Sequence, residues 1–250
     1  MCDDTLGGNQ RRSRPCHHYY RIDMKKILEV CCGSFADVER AVEGGAERIE
    51  LCTALSLDGL TPSMGLIESV KTHYPQLTVH VLIRPREGDF VYTDEEKKII
   101  MRDIRHAIIA GADAIVCGAL TRDGDIDVEA VQNMLGMVRC GGGKPFTFHR
   151  AFDVCRDPIH ALSVLKELGV TRILTSGQQS TAEKGIPLLK QLVEEAGDRL
   201  IILPGGGVNS GNAREILQQT GAKEIHGSCR KGTTSTDAAE VAAVIREINR

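Results

Sequence analysis

Ile27-Leu28-Glu29-Val30-Cys31-Cys32-Gly33-Ser34 is the stretch that decides the fold of this chain. Ile27–Cys31 reads as a short strand, and the turn behind it opens a helix with Ser34 as N-cap and Asp37 three residues on. A doubly wound dinucleotide-binding sheet needs Gly-x-Gly-x-x-Gly at this turn, and Cys31-Cys32-Gly33-Ser34 does not supply it. The same strand-then-helix unit recurs to the end of the chain. Further strands are expected at Arg48–Cys52, Leu77–Arg84, Ala114–Cys117, Pro145–His149, Arg172–Thr175, Leu200–Leu203 and Lys223–Ser228, which makes eight. Between them the spacing is helical, as in Asp94–Ala110, where Ile99, Ile100, Ile104, Ala107 and Ile108 share a stripe. Gly44-Gly45-Ala46, Gly111-Ala112, Gly169-Val170 and Gly221-Ala222 each stop a helix before a strand, and Thr61-Pro62, Thr93-Asp94 and Asp157-Pro158 mark helix starts. Eight βα units with short αβ turns predict a closed parallel (β/α)8 TIM barrel, one domain spanning 24–250.

Residues 1–23 show neither periodicity and carry Arg11, Arg12 and Arg14, so they read as a flexible tail, with Met24 as an alternative start. Cys16-His17-His18 lacks the spaced ligand pairs of a zinc module. With 42% hydrophobic and 26% charged residues in 250, the chain can bury a sizeable core. No apolar run approaches the roughly 20 residues of a membrane span, and Met1 to Gln10 has no signal-like core, so a cytoplasmic protein without a membrane partner is expected. A formal charge of −3 gives no global attraction for nucleic acid; any anion must be held by arginines gathered locally. The nine cysteines follow strands rather than loops and read as reduced thiols, with Cys117 and Cys140 expected in the core.

In such barrels the functional site lies at the carboxyl ends of the strands. Period-two spacing places Glu29 with Cys31, Glu50 with Cys52, His80 with Arg84, and Glu224 with His226 and Ser228, each set on one face. Carboxylates facing histidine and arginine across the lumen are the natural arrangement, for chemistry or as a structural ion-pair network. Arg84-Pro85-Arg86 and His149-Arg150-Ala151-Phe152-Asp153 bring three arginines to one rim, with Asp89 or Asp153 to orient them unless solvent takes them up. Ser176-Gly177, Gly205-Gly206-Gly207 and Ser228 follow strands six to eight, where this fold often cradles an anion on bare amides. No lysine ends a strand, since Lys144 and Lys223 stand at strand beginnings, so Schiff-base aldolase chemistry is not expected, and neither is a nucleotide cofactor. What fits is lyase or isomerase-like proton abstraction on a small anionic or phosphorylated metabolite. Glu29, Glu50, His149, Asp153 and His226 are the candidate acid and base groups, and Arg84, Arg86 and Arg150 the anchors.

These residues also carry a resemblance. Glu29-Val30-Cys31, Arg48-Ile49-Glu50-Leu51-Cys52, Gly59-Leu60-Thr61-Pro62-Ser63, Ile83-Arg84-Pro85-Arg86, Gly88-Asp89-Phe90, Thr147-Phe148-His149-Arg150-Ala151-Phe152-Asp153, Leu174-Thr175-Ser176-Gly177 and Pro204-Gly205-Gly206-Gly207-Val208 are similar to the pattern of the CutC copper homeostasis family. The resemblance runs from about Lys26 to about Ser228. It implies a cytosolic barrel, often a homodimer, associated with copper tolerance or Cu(I) binding, with the family cysteines at Cys31 and Cys52. Neighbouring strands lie about 4.8 Å apart, so two thiols at one height can share a soft ion such as Cu(I), form a disulfide, or simply be buried. Two departures stand out: the tail, and the direct run from Ser228 into the last helix, Ala238–Ile248, where many relatives insert a longer segment. Two functions of different class follow, a Cu(I)-binding homeostasis protein and a barrel enzyme for a small anion.

Overall fold

The computed structural model describes residues 25–232 and 234–250; the tail, with Cys16-His17-His18, lies outside them. Eight strands, β1 (Ile27–Cys32), β2 (Arg48–Leu51), β3 (Thr78–Leu82), β4 (Ala114–Cys117), β5 (Phe146–Phe148), β6 (Arg172–Thr175), β7 (Ile201–Pro204) and β8 (Glu224–Gly227), alternate with eight helices. The helices are α1 (Phe35–Glu43), α2 (Met64–His73), α3 (Asp94–Ile109), α4 (Val128–Cys140), α5 (Pro158–Leu168), α6 (Ile186–Ala196), α7 (Ala213–Thr220) and α8 (Ala238–Ile248). All neighbouring strands pair in parallel, in the order β7-β6-β5-β4-β3-β2-β1-β8. A parallel bridge between Gly205 and His226 joins the two ends and nearly closes the ring. This is the TIM barrel the alternation predicts.

Each strand alternates between two different interiors. Val30, Ile49, Leu51, Val79, Val81, Ile115, Phe146, Phe148, Ile173 and Ile225 are buried in one apolar core with Ile100, Ile104, Val131, Leu162, Leu165, Leu189, Ile216 and Val244 of the helices. That layer between sheet and helices supplies most of the apolar burial, at about 25 cal/mol per Å² removed from water. The alternate positions Glu29, Arg48, Glu50, His80, Glu224 and His226 are buried as well, so a polar set fills space that aliphatic side chains dominate in most such barrels.

The helix starts are set by side-chain caps. Ser34 accepts from the Asp37 N–H, Thr93 and Glu96 form a reciprocal capping box, and Asp157 caps α5 ahead of Pro158. One expected start is displaced: α2 is capped by Ser63, whereas the hydroxyl of Thr61 accepts the Arg84 N–H instead. The last turn corrects a second expectation, because Cys140 ends α4 at the surface and is exposed. Several strands end sooner than the apolar runs suggested, with Cys52, Arg84, His149 and Ser228 just beyond them. These residues therefore start the loops that carry the site.

The loop after β6 is tied down by a close approach. A Cβ on Gly185 would overlap the carbonyl of Ser176, and one on Gly177 would meet the backbone of Gly185. Gly185→Ala should push this loop outward and lower stability by about 1–3 kcal/mol, the usual range for overpacking, read as a drop in Tm. An unchanged Tm would mean that the approach imposes no constraint.

Candidate functional site

The lumen is organised in two levels. At the lower one, Arg48 lies between Glu29 (3.0 Å) and Glu224 (2.6 Å), and Arg172 meets Glu224 at 2.8 Å. Glu29 also faces His80 Nδ1 at 2.7 Å and His226 Nδ1 at 3.0 Å. The register explains the meeting, since Glu29 stands level with Arg48 on β2 and with His226 on β8. Burial opposes the Glu29 anion, but His80, His226 and Arg48 outweigh it and hold the carboxyl well below the usual carboxylate range.

Above this network opens a cavity of about 560 Å³ at the carboxyl ends of the strands. Cys31, Glu50, Arg84, His149, Arg150, Asp153, Gly206, Gly207, His226 and Ser228 line it. Glu29 does not: it is fully buried beneath the cavity, hydrogen-bonded to the lining residue His226. Gly205, Ser176 and Gly177 stand behind the lining, Gly205 by donating to the Thr175 carbonyl and Ser176 by supporting Arg150 and Asp153. Asp153 is itself engaged, by Arg150 (2.7 Å), the Thr175 hydroxyl and the Ser176 N–H. It orients Arg150.

Arg86 departs from the expected arginine rim. Its guanidinium is tied to Glu96 and Asp89 and donates to the carbonyls of Glu87, Asp89 and Val91. The carboxylate of the α3 capping box draws it away from the cavity. Arg84 faces the cavity, with its terminal nitrogens held by the carbonyls of Leu57, Gly59 and Gly88.

The titratable lining groups differ in state. Burial, with Arg84 alongside, lowers the pKa of His149 to about 3, so its imidazole is neutral. Its Nδ1 accepts the Ala151 N–H (3.3 Å), which assigns the proton to Nε2. That nitrogen is a donor rather than a ready base. Burial, aided by Glu29 and opposed by His226, raises Glu50 to about 7. For His226, burial disfavours the cation, but hydrogen bonds to Cys31 and Glu29 prevail and lift its pKa well above the ordinary imidazole value.

The two cysteines meet beside Glu50. Cys31 Sγ and Cys52 Sγ are 3.8 Å apart, and Cys31 Sγ lies 3.9 Å from Glu50 Oε1. Cys31 forms part of the cavity wall, while Cys52 is fully buried behind it, its Sγ 3.4 Å from the Cys32 carbonyl. The hydrogen bond with Cys52, then burial, push the Cys31 thiol well above its usual pKa, with His226 pulling the other way. Cys31, Cys52 and Glu50 offer ligand atoms within 4.8 Å of one another, and Glu29, Glu50 and His226 form a second such group.

Three residues escaped the sequence reading, Arg48, Phe90 and the Arg172 that meets Glu224. Arg48 sits in the same period-two series as Glu50 and Cys52, a pattern that could have placed it in the lumen. Phe90 packs on His149 with ring centroids 4.9 Å apart and lies 4.9 Å from the Arg84 guanidinium, a cation–π contact that no local motif announces.

A family model described as "CutC family" matches residues 26–231, from the start of β1 past the end of β8. The chain belongs to the CutC family. The CutC match takes in every residue of the cavity and of the ion network beneath it. A copper homeostasis protein cutC homolog of Homo sapiens is 48% identical over 204 residues, covering 82% of this chain and 73% of the human one. A family protein CutC of Bacteroides thetaiotaomicron is 46% identical, over 85% of this chain and 84% of its own. Among solved structures, the copper homeostasis protein CutC of Streptococcus agalactiae superposes with a TM-score of 0.77 at 38% identity, covering 81% of this chain and 98% of that one. Among the described residues, no helix is long and apolar enough to cross a membrane.

Proposed function

We propose that this CutC chain is a cytoplasmic Cu(I)-binding protein of copper homeostasis that takes the ion between Cys31 and Cys52. The observation that carries the reading is the 3.8 Å separation of the two sulfurs. Two metal–thiolate bonds of about 2.3 Å opened at a tetrahedral angle span about that distance, so the pair fits one ion without rearrangement. Thiolates are soft donors that favour Cu(I) over Mg²⁺ or Ca²⁺, and Glu50 and His226 stand within reach as weaker partners. Glu29 on His226 Nδ1 fixes that ring and leaves Nε2 for the ion, the usual carboxylate–histidine support of a metal ligand. The described cysteines are all free thiols, in keeping with a reducing compartment.

The test is a Cu(I) competition titration of the reduced full chain carrying Cys2→Ser and Cys16→Ser. One Cu(I) per chain is expected; no competition with the chelator would overturn the reading. A pH dependence follows. The raised Cys31 thiol and the raised His226 must both give up protons on ligation, so affinity falls as pH falls. Between about pH 8 and about pH 6 the apparent Kd should weaken by roughly one to two decades per unit. A pH-independent Kd would show that no protonated ligand takes part.

A further inference from the structure

The buried arginines of the lumen differ in what neutralises them. Arg48 meets Glu29 and Glu224, and Arg172 meets Glu224. Arg84 is equally buried, at 4% exposure, yet among the described residues no carboxylate stands within ion-pair distance of it. Its terminal nitrogens reach only carbonyls, and Phe90 lies across its plane. Among the described residues its Nε–H is buried with no hydrogen-bond acceptor. A buried cation satisfied by dipoles alone is costly, and the cost falls when a counter-charge arrives.

His149 stands beside it with the same deficiency. Its Nε2, which carries the proton, is buried without an acceptor among the described residues. Arg84 and His149 both line one cavity of about 560 Å³, within the usual range for small-molecule sites. On another wall, Gly206 and Gly207 run through positive φ (107° and 71°), and among the described residues the Gly207 amide donates to no other backbone group. The Arg150 guanidinium carbon lies 3.8 Å from where a Cβ on Gly206 would stand, which sets the guanidinium beside this turn. Asp153, which would repel an anion, is already spent on Arg150, Thr175 and Ser176.

We propose that this cavity binds a small oxyanion of metabolite size, a carboxylate or a phosphate, with its acceptor oxygens on Arg84 and His149 and on the Gly207 amide and Arg150. Phe90, which packs on both buried donors, moves to admit the acceptor. The ligand neutralises Arg84 and supplies the missing partners together. The site uses neither sulfur, so it stands whether or not Cys31 and Cys52 take up an ion.

The experiment is calorimetric titration of the reduced full chain with inorganic phosphate and, separately, with malonate, against sodium chloride at matched ionic strength. One of the two is expected to bind one-to-one, and which one does so identifies the anion class. Arg150→Met and His149→Leu should each weaken it roughly tenfold or more, the loss of one charge-assisted or buried hydrogen bond. Should a variant fail to fold, the wild-type side-chain ¹⁵N signals decide: Arg84 Nε and His149 Nε2 shift on titration with the bound anion. No binding of either anion beyond the chloride control would overturn the proposal. So would binding that leaves those two signals unmoved and both variants unaffected.

Discussion

Replacing Cys31 or Cys52 with serine is expected to abolish tight Cu(I) binding while leaving the barrel folded. Serine keeps the size of the side chain and exchanges a soft thiolate for a hard hydroxyl, which Cu(I) does not select. At position 52 the hydroxyl can donate to the Cys32 carbonyl, as the thiol does at 3.4 Å, so the buried position stays satisfied. At position 31 the side chain is in the cavity wall and is 7% exposed, so little packing is disturbed. Loss of a direct ligand should exceed the roughly 10–100-fold that loss of a supporting partner costs. The same competition titration, on each variant beside the parent, reads it. If both retain the parent's affinity and stoichiometry, the pair does not hold the ion.

Glu29→Gln should produce the largest loss of stability. The carboxylate is fully buried and faces Arg48, His80 and His226, and the amide removes its charge while keeping its shape. Breaking a buried ion pair on one side costs about 3–5 kcal/mol, and the low end applies because Arg48 retains Glu224. For a chain of this size about 3 kcal/mol lowers Tm by roughly 6–12 °C. The effect has a defined pH window. Because the folded-state pKa of Glu29 is depressed, its contribution is complete above the ordinary carboxylate value near 4.5 and disappears as pH falls through the folded value. Parent and variant should therefore differ fully at neutral pH and converge in acid. A difference in Tm that persisted unchanged into acid would assign the loss to packing. The variant also frees the His226 ring, so its Cu(I) affinity should fall by roughly 10–100-fold.

Much of the fold was legible because the barrel repeats one local rule. The β4 and β6 strands coincide with the apolar runs Ala114–Cys117 and Arg172–Thr175, and the Ser34, Thr93 and Asp157 caps stand where side-chain chemistry places them. Pairings across the ring were less legible. Period-two spacing shows that Glu29 and Glu224 share a face type, but the meeting of β1 with β8 brings together residues nearly 200 positions apart, as with Glu29 and His226 (|i−j| = 197). Arg86 shows the opposite difficulty. Its sequence neighbourhood matches that of Arg84, yet Glu96 of the next helix takes its guanidinium away, and only the path of the loop decides that. The bearing of the His149 ring was hidden for a like reason. Its neutral state depends on burial and on Arg84, which lies two strands away.

The central claim is that Cys31 and Cys52 together hold one Cu(I). Copper K-edge X-ray absorption on the reduced, Cu(I)-loaded chain with Cys2 and Cys16 replaced by serine reads it directly. Two sulfur neighbours are predicted at about 2.3 Å, the ordinary metal–thiolate length, falling to one in either Cys31→Ser or Cys52→Ser. A first shell of nitrogen or oxygen alone, or a sulfur count that neither substitution changes, would contradict it.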